Sequence, residues 1–248
     1  MPERCAIVIP TYNEAANLPP LVPQLLELGG GGFVIIIDDN SPDGTGQLAD
    51  SLAQATGRVV VRHRAGKMGL GTAYVEGFRT ALAHGAQRII TMDADFSHHP
   101  RYVPNLIALT DEYDVGIGSR YVPGGGTLNW GADRQLLSWF ANTLARTVLS
   151  LPARDSTAGF RCYRRIVLET IDLDSIRSNG YSFLIEILDR VRRDGFRVAE
   201  TPILFEDRRF GQSKISQQEI WRAGATVIRL ARDRGRRATK RVFQVKSS

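Results

Sequence analysis

Short uninterrupted apolar runs recur through the first half of the chain, and between them hydrophobic residues return at helical spacing. Cys5–Pro10, Phe33–Asp38, Arg58–His63, Arg88–Asp93 and Asp114–Ser119 read as five strands. Leu18, Leu21, Val22, Leu25 and Leu26 mark a helix after the first strand, and Gly46–Thr56, Leu70–His84 and Arg101–Thr110 carry the next three. Strands apolar at every position need cover on both faces, so their alternation with amphipathic helices predicts an α/β fold with a mainly parallel central sheet and helices on both faces. The second half is less regular. It holds a glycine-rich loop (Gly124–Arg134), a strongly apolar helix (Gln135–Pro152), a helix over Ser182–Arg193, a strand over Arg197–Phe205 and a basic amphipathic helix from about Ser216. The expected organisation is one domain over residues 1–215, followed by a basic C-terminal helix and tail over 216–248.

Ligands of open parallel sheets bind beyond the carboxyl ends of the strands, and the unusual residues of this chain gather there. Strand one ends in Pro10–Glu14 (PTYNE), strand two in Asp38–Thr45 (DDNSPDGT), strand four in Asp93–Ser97 (DADFS) and strand five in Gly118–Val122 (GSRYV). The turn after strand one is not G-x-G-x-x-G, and G-x-x-x-x-G-K-[ST] is absent, which excludes a dinucleotide fingerprint and a P-loop. Asp39 is placed to hold a ribose or base edge, and Tyr12 to stack on a base. Thr11 and Glu14 also fit a capping box for the first helix, a role compatible with binding. Asp93 and Asp95 stand two apart, so on an extended chain they face the same way. Two carboxylate ligands beside a nucleotide suit a hard divalent ion, Mg²⁺ or Mn²⁺, that also grips phosphates. His98 and His99 have no cysteine or second histidine cluster near them, so they read as ordinary loop residues rather than zinc ligands.

Composition changes the picture in three places. Cys5 and Cys162 sit in apolar surroundings and read as reduced and buried, which points to the cytoplasm. No secretion signal is read at the start, and no apolar run is long enough to span a bilayer. The net charge is +6, yet Arg222–Arg241 holds eight basic residues against one acid and so carries +7, leaving the rest at −1. Charge confined to a tail is not the spread basic surface of a nucleic-acid-binding module, so no nucleic-acid partner is expected.

The stretches VIPTYNEAANL, IIDDNSPDGTG, KMGLGTAYVEGF, MDADFSHHP, IGSRYVPGG, DSTAGFRCYRR and FEDRRFGQSKIS cover nearly the whole chain in order. Together they resemble the family 2 glycosyltransferases of the nucleotide-diphospho-sugar transferase (GT-A) fold. More narrowly, they resemble the dolichol-phosphate mannose synthases and their bacterial polyprenol monophosphomannose synthase counterparts. The resemblance implies a nucleotide-sugar site at Pro10, Tyr12, Glu14, Ile37, Asp39, Asn40, Lys67, Asp93, Ala94 and Asp95. It implies that Asp93 and Asp95 hold the metal on the donor diphosphate, with Ser97 standing where the family often has a glutamine ligand. Arg120, Arg134, Ser138, Arg208 and Lys214 are the expected phosphate-handling residues on the acceptor side. Asp93, Asp95, Arg120, Arg208 and Lys214 are expected to carry the catalysis, with Arg208 and Lys214 in a loop able to close as a lid.

The implied reaction is inverting mannosyl transfer from GDP-mannose to a polyprenyl or dolichyl monophosphate, with UDP-glucose as the alternative donor. An acceptor phosphate monoester is already mostly a dianion at neutral pH, so it needs cations to place it rather than a base; Asp155 is left for orienting the sugar or a loop. A polyprenyl chain stays in the bilayer, so the enzyme is expected to sit peripherally on the cytoplasmic face, with or without a membrane-anchored partner subunit. Two segments can make that contact. Leu136, Leu137, Trp139, Phe140, Leu144, Val148 and Leu149 form either a lipid-facing helix or a core helix. The basic tail either meets anionic head groups or is a solvated helix face.

Overall fold

The computed structural model describes residues 4–206 and 223–234. The elements run β1 (Cys5–Thr11), α1 (Leu18–Leu28), β2 (Phe33–Asp38), α2 (Thr45–Thr56), β3 (Val59–His63), α3 (Leu70–Ala83), β4 (Arg88–Thr91), α4 (Val103–Glu112), β5 (Val115–Ser119), β6 (Gly126–Thr127), α5 (Ala132–Val148), β7 (Arg161–Arg164), α6 (Arg165–Thr170), α7 (Tyr181–Arg193), β8 (Val198–Pro202) and β9 (Leu204–Phe205). A last helical segment spans 223–234.

A seven-stranded sheet has the order β3-β2-β1-β4-β7-β5-β8, and β6 pairs with β9 in a two-stranded ribbon. Every pairing in the large sheet is parallel except those of β7, which lies antiparallel between β4 and β5. The strand pattern hides β7 because arginines stand at both its ends. Arg161 is nevertheless fully buried; its guanidinium donates to the carbonyls of Ala158, Ser156 and Leu184, which satisfies a charge that has no business in an apolar strand otherwise. The strand expected over Arg197–Phe205 is broken at Ile203, where the chain leaves β5 and moves across to β6 as β9.

Alternate residues of the strands face two separate cores. Cys5, Ile7, Ile9, Val34 and Ile36 pack with α1, α2 and α4. Ala6, Val8, Phe33, Ile35 and Ile37 pack with α3, α7 and Val227 and Leu230 of the 223–234 segment. Helix α3 lies directly on β1, since a Cβ at Gly77 would stand 2.2 Å from Val8 Cγ1. Both cysteines are buried and unbridged. Thr11 and Glu14 do not form the expected capping box. Helix α1 starts later, its N-cap is Asn17 without a side-chain cap bond, and Glu14 Oε2 instead accepts from Asn17 Nδ2 at 2.6 Å.

Part of the basic C-terminal charge is used inside the fold. Arg229 donates to buried Glu186 at 2.6 Å, and Arg234 pairs with buried Asp189, so two cations of that segment clamp it to α7. Burial alone would push Glu186 up; hydrogen bonds from Arg190, Ser178 and Arg229 overcome this and hold its carboxyl at about 2, against an ordinary 4.5. A depressed carboxylate stabilises the fold fully above its unfolded value and loses that contribution as pH falls through its folded value. Urea unfolding between pH 5 and pH 2 should therefore show a stability loss on the order of 2 kcal/mol that Glu186→Gln removes from the profile. An unchanged pH slope in that variant would refute the clamp.

Candidate active site

The ends of β1 and β2 are tied into one rim. Asp38 accepts from Thr11 Oγ1 at 3.1 Å and from Ser41 Oγ at 2.5 Å. The N–H of Asn13 donates to Ser41 Oγ, that of Glu14 to Thr45 Oγ1 and that of Ala15 to Asp43. Asn13 and Asn40 hold positive φ, 61° and 57°, in the two turns this brings together. Of the expected nucleotide-side residues, Tyr12 is 39% exposed and Lys67 Nζ lies 4.5 Å from its ring centroid. Ile37 and Ala94 are buried, Pro10 and Glu14 half-buried and Asn40 exposed. Asp39 is buried, which pushes its carboxyl up, against the opposing charge of Arg64. Arg64 NH1 donates to Asp39 at 2.6 Å, and NH2 to Thr72 at 2.5 Å. Arg64 was not among the expected site residues. It sits just past β3, and only the parallel register beside β2 brings it to Asp39.

The DADFSHH turn is built from within. β4 ends at Thr91, so Asp93 and Asp95 lie in the bend beyond it and not on an extended strand; alternation is not what groups them. Asp95 is buried, and its Oδ1 accepts from the N–H and hydroxyl of Ser97 at 3.0 and 2.6 Å. Ser97 thus holds Asp95, and Phe96 between them takes a φ of 63°. His98 is not an ordinary loop residue. It is buried, stacks on Phe160 at 5.1 Å, meets Phe205 edge-on at 5.3 Å, and its Nδ1 accepts the Asp93 N–H at 3.1 Å. Burial lowers its pKa despite the nearby charges of Asp93 and Asp95, which agrees with a neutral ring accepting at Nδ1. The donor set fits a hard cation. Asp93 has 38% of its side chain exposed at the rim. Among the described residues no group of three or more His, Cys, Asp or Glu is arranged to hold a metal ion, so a cation held by Asp93 and Asp95 would take further oxygens from its phosphate ligand.

Across the turn, Arg120 is forked onto fully buried Asp155, with Nε and NH2 each 2.7 Å from one carboxylate oxygen. Its guanidinium carbon lies 5.5 Å from the Trp130 centroid and 5.4 Å from that of Phe205, while that of Arg134 lies 3.9 Å over Trp130. Ser138 accepts from the Tyr121 hydroxyl at 2.7 Å. Arg120 and Arg134 are therefore gathered around one indole, Ser138 joins Arg120 through Tyr121, and Phe205 links the indole to His98. Arg208, Lys214 and their loop lie outside the described residues, as does most of the basic tail.

Helix α5 leaves most of its large apolar side chains outside. Its inward face holds buried Asn142, bonded to Ser156 and Thr157, beside buried Ala145. Its outward face is apolar, with Leu136 66%, Trp139 52% and Phe140 58% exposed and Leu137, Leu144 and Val148 exposed beside them. Leu149 is buried and belongs to the core. Among the described residues no helix is long and apolar enough to cross a membrane.

A mainly parallel sheet with acidic residues at the carboxyl ends of its strands fits a nucleotide-sugar transferase of the GT-A class. The chain belongs to glycosyl transferase family 2, whose family model matches residues 6–172. It is 46% identical to polyprenol monophosphomannose synthase of Mycolicibacterium smegmatis over 88% of this chain and 83% of that one. It is 42% identical to undecaprenyl-phosphate mannosyltransferase of Micrococcus luteus over 91% and 93% of the two chains. Its fold matches the crystal structure of glucosyl-3-phosphoglycerate synthase from Mycobacterium tuberculosis, solved with Mn²⁺ and UDP, with a TM-score of 0.66 at 19% identity over 92% of this chain and 80% of that one.

Proposed function

We propose that this glycosyltransferase moves mannose from GDP-mannose to a polyprenyl monophosphate with inversion, releasing GDP and a β-mannosyl phosphopolyprenol. The names of the two relatives support the sugar and the acceptor class. The observation that carries the reading is α5. Its inner residues Ser138 and Asn142 bond the Tyr121 and Ser156–Thr157 segments that flank Arg120, while its outer face is apolar and exposed. An exposed apolar face and the Arg120–Arg134 pair are thus one helix apart, an arrangement that suits a membrane-held phosphate acceptor.

Asp39, with Tyr12 and Lys67, would hold the nucleoside. Asp93 and Asp95 would hold Mg²⁺ or Mn²⁺, which when bound supplies Lewis-acid charge for the departing diphosphate. Arg120 and Arg134, with Arg208 and Lys214, would place the acceptor phosphate. Asp155 is spent on Arg120, and an acceptor that is already a dianion needs no base from it. Attack opposite the leaving group gives inversion. The enzyme would work peripherally, on the cytoplasmic face of the membrane.

Transfer of radiolabel from GDP-mannose and from UDP-glucose to a short polyprenyl phosphate, with and without Mn²⁺, tests this. Metal-dependent mannosyl transfer is expected; transfer from UDP-glucose alone would replace the donor assignment, and transfer from neither would end the reading. For the surface, changing Leu136, Trp139 and Phe140 together to serine removes side chains that contribute about 1.5–3 kcal/mol each when fully buried. Partial insertion still predicts at least a tenfold weaker co-sedimentation with phospholipid vesicles. Equal sedimentation would show that α5 faces something else.

A further inference from the structure

Tyr74 sits on α3 with its side chain fully buried. Its ring stacks on Phe183 at 5.9 Å and on Phe78 at 6.2 Å, which fixes where the hydroxyl points. That hydroxyl faces the Asp93 carboxylate closely enough to begin sharing a hydrogen bond with it. Among the described residues it has no hydrogen bond of normal length and angle. A buried hydroxyl left unsatisfied lowers stability, and nothing in the packing of the two flanking rings requires it. Gly159 shapes the space around it. A Cβ there would stand 3.4 Å from Tyr74 Oη, 3.6 Å from His98 Cε1 and 3.9 Å from Asp93 Oδ1. The missing side chain thus leaves phenol and carboxylate bordering one small gap.

We propose that Tyr74 is a positioning residue for Asp93, its hydroxyl donating to whichever carboxylate oxygen a bound cation would leave free. The inference rests on the reading of Asp93 and Asp95 as cation ligands. A carboxylate that gives one oxygen to a metal is kept in orientation by a donor on the other. Asp95 has Ser97 in that role. Asp93 has its backbone pinned by His98, and Tyr74 is the donor placed for its side chain. A phenol is protonated at neutral pH and so can only be asked to give its hydrogen to a carboxylate. The same contact, weak in the metal-free protein, would become a full hydrogen bond in the loaded one.

Tyr74→Phe separates these effects because it deletes the hydroxyl and keeps the ring. Mn²⁺ binding in the presence of GDP, followed by the electron paramagnetic resonance of free Mn²⁺, is expected to weaken about 10- to 100-fold. Metal-free GDP binding should stay as in the wild type, and the urea midpoint of the metal-free protein should be unchanged or higher. Unaltered Mn²⁺ affinity would overturn the proposal. So would a loss of Mn²⁺ affinity matched by equal losses in metal-free GDP binding and in urea midpoint, which would mark a packing defect. Wild-type protein that takes up no Mn²⁺ with GDP, or an Asp93→Asn variant that binds Mn²⁺ normally, would remove the underlying site reading itself and is told apart from the first outcomes by the wild-type and Asp93→Asn titrations.

Discussion

Alanine at both Asp93 and Asp95 is expected to cut mannosyl transfer by about a thousandfold or more, a loss of roughly 4 kcal/mol in transition-state stabilisation. The donor's diphosphate gains negative charge as the sugar leaves, and the described part of the site offers it few permanent cations. Arg120 is bound to Asp155 and Arg64 to Asp39, so each pair is close to neutral. Lys67 lies over Tyr12 on the nucleoside side. A divalent cation held by the two carboxylates would supply the main screening of the diphosphate, with Arg134 set on the acceptor side. The single variants should fall unequally. Asp95 is buried and braced by Ser97, whereas Asp93 is partly exposed, so Asp93→Asn retains more of its geometry than Asp95→Ala. Initial rates at saturating GDP-mannose and Mn²⁺ measure the effect, with circular dichroism to establish folding. Wild-type turnover by the double variant in the presence of a chelator would dismiss the metal and every role assigned around it.

Much of the fold, and the residues that gather at its rim, could be read before any coordinate was known, for physical reasons that also explain what could not. A buried parallel strand has to be apolar at every position, so β1 to β5 announce themselves. Polar residues at their carboxyl ends have no folding reason to be there, so Asp39, Asp93 and Asp95 stand out. Strand β7 does not, because its arginines are satisfied by carbonyls from other segments, and that satisfaction is tertiary. The same holds for Arg64, which gains meaning only when β3 lies beside β2, and for Tyr74, which reads as one more core aromatic until its hydroxyl is seen beside Asp93. His98 reads as a loop histidine along the chain, since nothing in its sequence neighbours reveals Phe160 and Phe205. Helix α5 is the clearest case. Its spacing suits a core helix or a surface one equally well, and only the burial of Asn142 against the exposure of Trp139 tells which face turns inward.

Asp155→Asn is expected to destabilise the protein by about 3–5 kcal/mol, the usual consequence of leaving a buried charge without its partner. Asp155 is fully buried and the Arg120 side chain is 7% exposed. Burial alone would push the Asp155 carboxyl up; the Arg120 charge and its hydrogen bonds more than reverse this and hold it below the ordinary carboxylate range. The contribution is therefore present above the unfolded pKa and is lost only as pH falls below it, so the variant's deficit should be full at pH 7 and should shrink toward acid. The rings of Trp130, Phe205 and Tyr121 around the guanidinium offset part of the loss, which favours the lower end of that range. Urea unfolding with an unchanged slope would report the stability difference cleanly. The double change Arg120→Met with Asp155→Leu separates structure from function. With both charges gone, stability should return close to the wild-type value, while transfer to polyprenyl phosphate should not, because the acceptor has lost a guanidinium. Recovery of activity together with stability would mean that Arg120 serves only its carboxylate and never meets a phosphate.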